Sequence, residues 1–244
     1  MNAPEPEQQI ACGAPRILLL SVAVNGYALV FKDNLSSHAR YAHRNGYTHC
    51  VVDRAGKIAS SHAPWLKVVL TLEALRRGYD LVIAIDADCL IRDNAPEIAC
   101  VLRSGKCLYM ARGFSGRLNS GFFVAVNSAG CLQLLEEVVG NCEREVDDRD
   151  WGENAHFDYF AAQYSGLQEL DARWNNNFRP GLNDYVRHFC GGSCVERQLR
   201  LPLWRLLVLK VLRKRLRRVT RHGLQQELSL RAMYCMGQYP QLHP

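Results

Sequence analysis

The sequence predicts an α/β fold: a mostly parallel central sheet with flanking helices, and a basic amphipathic helix added at the C-terminal end. Three observations predict it. Strand-like and helix-like stretches alternate from residue 16 to residue 91. Leu81 to Ile85 is an apolar run without polar interruption, the pattern of a strand buried on both faces. Ten basic residues lie between Arg197 and Arg221 with no acid among them, so the rest of a chain of net charge +6 is mildly acidic.

The elements follow in order. Residues 1–15 read as a disordered leader, residues 16–195 as one α/β domain and residues 196–244 as a basic extension. Arg16 to Val24 is the first strand, closed by a turn at Asn25-Gly26-Tyr27. Asp33-Asn34 caps a helix reaching Arg44, and Asn45-Gly46 stops it. Tyr47 to Val52 is the second strand. A helix from Trp65 to Arg77 gathers Trp65, Val68, Leu72 and Leu75 on one face. The third strand runs through Leu81 and carries Asp86 and Asp88 towards Ile91. A short helix spans Glu97 to Arg103, and strands cover Cys107–Arg112 and Phe122–Asn127, with a turn at Asn119-Ser120-Gly121 before the latter. Ser128 caps a helix ending near Gly140. Another helix runs from Glu153 to Tyr164, and Leu167 to Leu170 is a strand.

Composition excludes several classes. A hydrophobic content of 48% with 22% charged residues is that of a soluble globular protein. The ten cysteines form no Cys-x-x-Cys pair, which excludes a zinc ribbon and a thioredoxin motif. The first residues lack a signal peptide, and no apolar run reaches membrane-spanning length. The expected location is cytoplasmic, with reduced thiols, peripheral on the inner face of a membrane if the basic helix binds there.

Two carboxylates one residue apart on extended backbone point the same way. At the carboxyl end of a parallel strand, where such sheets bind ligands, Asp86 and Asp88 suit a Mg²⁺ or Mn²⁺ holding a phosphorylated substrate. A strand ending in two solvated acids is the plain alternative.

The order of motifs adds to this. Trp65-x-Lys67, Tyr79-Asp80 before Asp86-x-Asp88, Asn119-Ser120-Gly121, Trp174-Asn175 and His188-Phe189-x-Gly191 follow one another over residues 16 to 192. In this the chain resembles glycosyltransferases of the GT-A (Rossmann-like) fold. It is most similar to the galactosyl/xylosyl/mannosyltransferase family of plant and yeast Golgi enzymes, and next to the glycogenin-like family. The resemblance implies a nucleoside-diphosphate sugar donor, with UDP the expected nucleotide, and a divalent cation, Mn²⁺ or Mg²⁺. It implies that Asp86 touches the donor's ribose and the metal, that Asp88 ligates the metal and that His188 is the third ligand. Val22, Ala23, Asn25 and Tyr27 match the nucleoside pocket, with Tyr27 stacking on the base. Lys67 reaches the donor phosphates from the facing helix. Ala87, Ser120 and Gly191 complete the donor contacts, with Asn119 on the sugar hydroxyls and Gly121 allowing the donor a close backbone approach.

Two departures stand out. Where the family carries an acid-Gln pair near the anomeric carbon, this chain has Glu153-Asn154. Asn154 keeps the amide on a shorter stem, and Glu153 is either a carboxylate facing the sugar or a first-turn acid. With Asp88 these form the candidate catalytic set. The family's Lys after the His-Phe-x-Gly motif is replaced by Gly192-Ser193. The implied reaction transfers a hexosyl or pentosyl unit to a hydroxyl of a glycan or glycolipid, with retention at the anomeric carbon. Two rivals share the acid pair: a non-catalytic sugar-nucleotide or glycan-binding protein on the same scaffold, and a haloacid-dehalogenase-type phosphatase.

In the extension, Leu201, Trp204, Val208, Val211, Leu212, Leu216 and Val219 share one side of a helix. Lys210, Arg213, Lys214, Arg217 and Arg218 share the other, and Arg205 and Arg215 intrude on the apolar side. This fits an anionic membrane surface; packing of the apolar side on the domain is the alternative. No base-reading or stacking module points to nucleic acid.

Overall fold

The computed structural model describes residues 14–56, 58–146, 152–190, 202, 204, 205, 207, 208, 211 and 222–244. Strand β1 (Ile17–Val22) leads through a one-turn helix α1 (Tyr27–Val30) into α2 (Lys32–Asn45) and β2 (Thr48–Val52). Helix α3 (Ala63–Arg76) precedes β3 (Leu81–Asp86), and β4 (Cys89–Ile91) follows at once. Next come β5 (Leu108–Arg112), β6 (Leu118–Val126), α4 (Ala129–Gly140), α5 (Glu153–Ala161), β7 (Leu167–Glu169) and β8 (Val186–His188). Helix α6 (Leu224–Gln238) closes the described chain with a final 3₁₀ turn. Among the described residues no helix is long and apolar enough to cross a membrane.

The main sheet has the order β2-β1-β3-β6-β5-β7. Every strand runs the same way except β6, which is antiparallel to both β3 and β5. This mostly parallel sheet, with helices on both faces, is the predicted fold class. The odd strand has a local cause. β5 and β6 are joined by a tight reversal in which Gly113 N–H donates to the Arg117 carbonyl at 2.9 Å and Gly116 adopts φ +76°, and such a connection returns the chain antiparallel.

Strand side chains alternate between two cores. Leu18, Leu20, Val82 and Ala84 pack with α3, α4 and α6, while Leu19, Ile83 and Ile85 pack with Tyr41 and Ala42 of α2, Ile98 and Trp174. Being apolar on both faces, β1 and β3 can only sit in the middle of the sheet.

Five sequence expectations need correction. Asn119-Ser120-Gly121 is no turn; it lies inside β6, which begins at Leu118. The third strand does not persist to Ile91, because a turn at Ala87-Asp88 breaks it and β4 leaves to pair with β8. Helix α3 is buried on nearly all sides, including Leu66, Val69 and Leu70, rather than along one face, because α6 covers the side that an amphipathic reading leaves to solvent. Helix α5 ends at Ala161 instead of Tyr164, and the stretch expected as a helix from Glu97 is a 3₁₀ turn, Ile98–Val101.

The extension divides. Leu224, Leu228, Ala232, Cys235, Met236, Tyr239 and Leu242 join the larger core, so its end is built into the domain. Of the basic stretch, positions 204, 205, 207, 208 and 211 are helical. Val208 packs against the small cluster of Phe31, Ala87 and Phe189. Arg205, out of place on an amphipathic wheel, has its guanidinium 3.0 Å from the Asp33 carboxylate.

Candidate active site

The carboxyl ends of β1 and β3 lie side by side, with Val22 in register with Asp86. Beyond them opens a cleft of about 180 Å³ lined by Val22, Val24, Asn25, Tyr27, Ser60, Ala63, Pro64, Lys67, Asp86, Ala87 and Asp88. The turn that shapes its floor needs two consecutive left-handed residues, Asn25 (φ +58°) and Gly26 (φ +84°), positions that asparagine and glycine tolerate best. Asn25 is also tied down, its Nδ2 donating to the Ile58 carbonyl at 2.7 Å.

At one edge of the cleft three predicted ligands converge. His188 is opposite Cys89 in the β4–β8 pair, which brings its Nε2 to 3.4 Å from Asp88 Oδ1 and 3.9 Å from Asp86 Oδ2. Asp86 and Asp88 keep 29% and 20% of their side chains exposed, while His188 keeps 4%. Burial disfavours the charged imidazole, yet the Asp88 and Asp86 carboxylates together outweigh it and His188 titrates above its ordinary range. Burial likewise opposes the Asp88 carboxylate, and His188 with Lys67 holds it below its ordinary range.

The orientation of His188 is fixed from behind. Its Nδ1 donates to Asn175 Oδ1 at 2.9 Å, and Asn175 Nδ2 donates to Asn119 Oδ1 at 2.8 Å and to the Asn119 carbonyl at 2.9 Å. With Nδ1 carrying a proton, a neutral His188 presents the lone pair of Nε2 to the two carboxylates, the form a metal takes. Bonds of about 2.1 Å to one octahedral ion set neighbouring ligand atoms about 3 Å apart. Asp88 and Asp86 each bring a hard oxygen within 4 Å of the imidazole, a donor chemistry that suits a divalent cation, although Asp86 stands outside the group of donor atoms that lie within 4.8 Å of one another. Asp88, Cys89 and His188 also offer three donor atoms within 4.8 Å of one another. Cys89 was not singled out in the sequence. It is fully buried, its thiol donates to the Gly121 carbonyl at 3.3 Å and burial pushes its pKa well up.

A second network lies behind Asp86. Lys67 is 1% exposed, and its ammonium donates to Asp86 Oδ1 and, at 2.6 Å, to the Ser120 carbonyl. Ser120 Oγ donates to Glu153 Oε1 at 2.7 Å, and Ser120 N–H donates to Asn154 Oδ1 at 2.7 Å. Asn154 Nδ2 reaches Glu153 Oε1 at 3.1 Å. Burial pushes the Glu153 carboxyl above its ordinary range, with Lys67 pulling the other way. The predicted catalytic pair and the acid pair thus meet through Ser120 of β6.

Three assignments change at this level. Lys67 is engaged by Asp86 and Ser120 as a buried cation, rather than standing on the helix ready for phosphates. Gly121 makes room for His188 and not for the donor: a Cβ there would lie 2.2 Å from His188 Cε1. Ala23 is fully buried with Val30, Phe31, Ala87 and Phe189 and does not line the cleft, because strand alternation turns it away from Val22 and Val24. Gly191 lies outside the described residues. Val24, Ser60, Ala63 and Pro64 line the cleft and were not singled out. The available signal was the position of Pro64 in the first turn of a helix that follows a parallel strand and so starts near the ligand edge.

No protein-family model matches the chain, and no curated protein matches it. In fold the chain is similar to a glycosyltransferase involved in the glycosylation of the major capsid of PBCV-1, with a TM-score of 0.63 and 14% identity over 76% of this chain and 98% of that one. It is also similar to the glycosyltransferase GlyE of Streptococcus pneumoniae TIGR4 (TM-score 0.53, 12% identity, 88% of this chain and 63% of that one). A third similar structure is the galactosyltransferase LgtC in complex with donor and acceptor sugar analogs (TM-score 0.51, 13% identity, 84% and 98%). The architecture is therefore the GT-A glycosyltransferase fold.

Proposed function

We propose that this chain is a metal-dependent glycosyltransferase that moves a hexosyl or pentosyl unit from a nucleoside-diphosphate sugar to a hydroxyl of a glycan or glycolipid, with retention. The observation that carries the proposal is the convergence of Asp86, Asp88 and His188 at the edge of the cleft, on this fold. UDP is the proposed nucleotide, with Tyr27 against the base, and the order of motifs supports a likeness to the Golgi-type family.

Asp86, Asp88 and His188 would hold Mn²⁺ or Mg²⁺, which when bound neutralises the diphosphate leaving group. The chain's own residues supply the rest. Lys67 holds Asp86 in place and adds positive charge beneath the phosphates. Asn119 lies at the start of β6, where the sugar is placed, and Ser120, fully buried, ties that strand to Lys67, Glu153 and Asn154. Asn154 and Glu153, fixed to each other and to Ser120, stand beside the anomeric carbon and stabilise charge developing there. In a retaining transfer the leaving phosphate accepts the acceptor's proton on the same face, so no further base is required.

The reading extends to an acceptor at a membrane. The basic stretch attaches the enzyme to an anionic cytoplasmic surface, which would bring a glycolipid within reach. The exposure of Trp204, Leu207 and Val211 supports this.

Thermal denaturation with UDP, GDP and their sugars, in Mn²⁺ or EDTA, tests the central proposal on wild type and Asp88→Asn. A ligand at about a hundred times its Kd adds about 2.7 kcal/mol. A Mn²⁺-dependent rise with one diphosphate, absent in the variant, is expected; no rise with any nucleotide removes the donor site.

One observation favours a second reading, a non-catalytic binding protein. Asn154 and Lys67 are both engaged within the protein. Turnover of the bound sugar nucleotide, by transfer or by slow hydrolysis, separates the two.

A further inference from the structure

The wall of the cleft formed by Ser60, Ala63 and Pro64 belongs to the segment between β2 and α3. Residues 53–62 of that segment, leaving aside Lys57, contain no helix or strand. Irregular chain of this length does not hold a shape through its own backbone bonds. What holds this one comes largely from the far end of the sequence.

Three contacts from α6 and the residue after it converge there. The Tyr239 hydroxyl accepts the N–H groups of Asp53 and Arg54 at 3.1 and 2.8 Å and donates to Asp53 Oδ1 at 2.7 Å. One donor and two lone pairs are thereby all used. The guanidinium of Arg231 lies over Gly56, where a Cβ would be 2.3 Å from its Nη1. His62, 3% exposed, donates from Nδ1 to Glu227 Oε2 at 2.8 Å. His62 is also the residue from which α3 starts, immediately before the lining pair Ala63 and Pro64 and one turn before Lys67.

We infer that α6 is a clamp on the donor cleft, with Glu227 and Tyr239 as positioning residues that set the shape of the 53–64 wall and so the affinity for the nucleotide part of the donor. Neither residue lines the cleft. They act through His62 and through the backbone of Asp53 and Arg54. The inference rests on the donor-site reading above, and its test separates the two.

The measurement is calorimetric titration with UDP, and in parallel GDP, in Mn²⁺, followed by steady-state kinetics with the corresponding donor. Glu227→Ala removes the acceptor of His62 and is expected to weaken diphosphate binding at least fivefold. Glu227→Gln still offers an oxygen to His62 and is expected to stay within twofold of wild type. Tyr239→Phe keeps the ring and loses the hydroxyl, and is expected to weaken binding at least fivefold. In each weakened variant the donor KM rises while kcat and the acceptor KM stay within twofold, a split that general loss of folded protein does not produce. Should Glu227→Ala fail to fold, Tyr239→Phe carries the decision alone. Wild type binding a diphosphate that both variants bind equally well overturns the clamp and leaves the donor site standing. Wild type binding neither diphosphate overturns the donor site itself.

Discussion

The imidazole of His188 fills the space that any side chain at position 121 would need: a Cβ on Gly121 would lie 2.2 Å from its Cε1 and 2.4 Å from its Nδ1. The ring can yield only by giving up its present place, because Asn175 holds its Nδ1 and β8 holds its backbone against β4. Gly121→Ala is therefore expected to displace His188 from Asp86 and Asp88. Overpacking of this kind costs about 1–3 kcal/mol. The Mn²⁺-dependent part of nucleotide binding should fall at least tenfold, read by titration with and without EDTA. Unchanged Mn²⁺ dependence would show that His188 is no ligand.

Lys67 and Asp86 form an ion pair that is buried at one end only, since Asp86 still meets solvent. Lys67→Met leaves the carboxylate without its cation and the Ser120 carbonyl without its donor. Breaking a buried pair costs on the order of 3 kcal/mol. Denaturant unfolding of Lys67→Met, Asp86→Asn and the double variant should reveal a favourable coupling of about 1–3 kcal/mol. Additive losses would mean that the pair contributes nothing beyond its separate contacts.

Asn154 meets Ser120 at the start of β6, next to Lys67 and Asp86. Asn154→Ala is expected to lower kcat about a hundredfold, the scale for losing one aligned polar group at a reacting centre, and to leave UDP affinity within threefold. A fall in affinity with kcat retained would place Asn154 in donor binding instead.

His38 is fully buried between Ser21 and the Cys89 carbonyl, accepting from Ser21 Oγ at Nδ1 (2.9 Å) and donating from Nε2 (2.8 Å). Those partners suit the neutral ring, and burial lowers its pKa to about 3. The unfolded chain takes up a proton near pH 6.5 that the folded state refuses. The stability contributed by a neutral His38 is thus complete above that pH and is lost as pH falls towards 3. The slope is about 1.4 kcal/mol per pH unit. Urea unfolding between pH 7 and pH 5 should show wild type losing more stability than His38→Gln. Parallel curves would mean that His38 is protonated in the fold.

How much of this was legible in the sequence follows from where each partner sits. The apolar runs of β1 and β3 announce central strands because burial on both faces leaves a local signature. Asp86 and Asp88 were legible for the same reason, their meaning being contained in three consecutive residues. His188 was found by its place in the order of motifs. Lys67 was misjudged because its partners, Asp86 and Ser120, are 19 and 53 residues away, and a helix lysine looks the same whether solvated or buried. Helix α3 seemed amphipathic because its second cover, α6, begins about 150 residues later. Asn119, Asn175 and His188 each stand in a motif, but the relay that joins them could not be read, since it exists only once the strands bring them together.

The clamp on residues 53–62 has a kinetic counterpart. Asp53 and Tyr239 are 186 residues apart, while β1 and β2 zip together across only the short α1 and α2. Contacts between distant positions must wait for the largest loop to close. The sheet can therefore assemble with the nucleotide wall still open, and the cleft acquires its form in the final stage of folding. In pulsed hydrogen exchange during refolding, the amides of Asp53 and Arg54 should gain protection after those of β1 and β3, so that newly made molecules pass through a compact state unable to hold a donor.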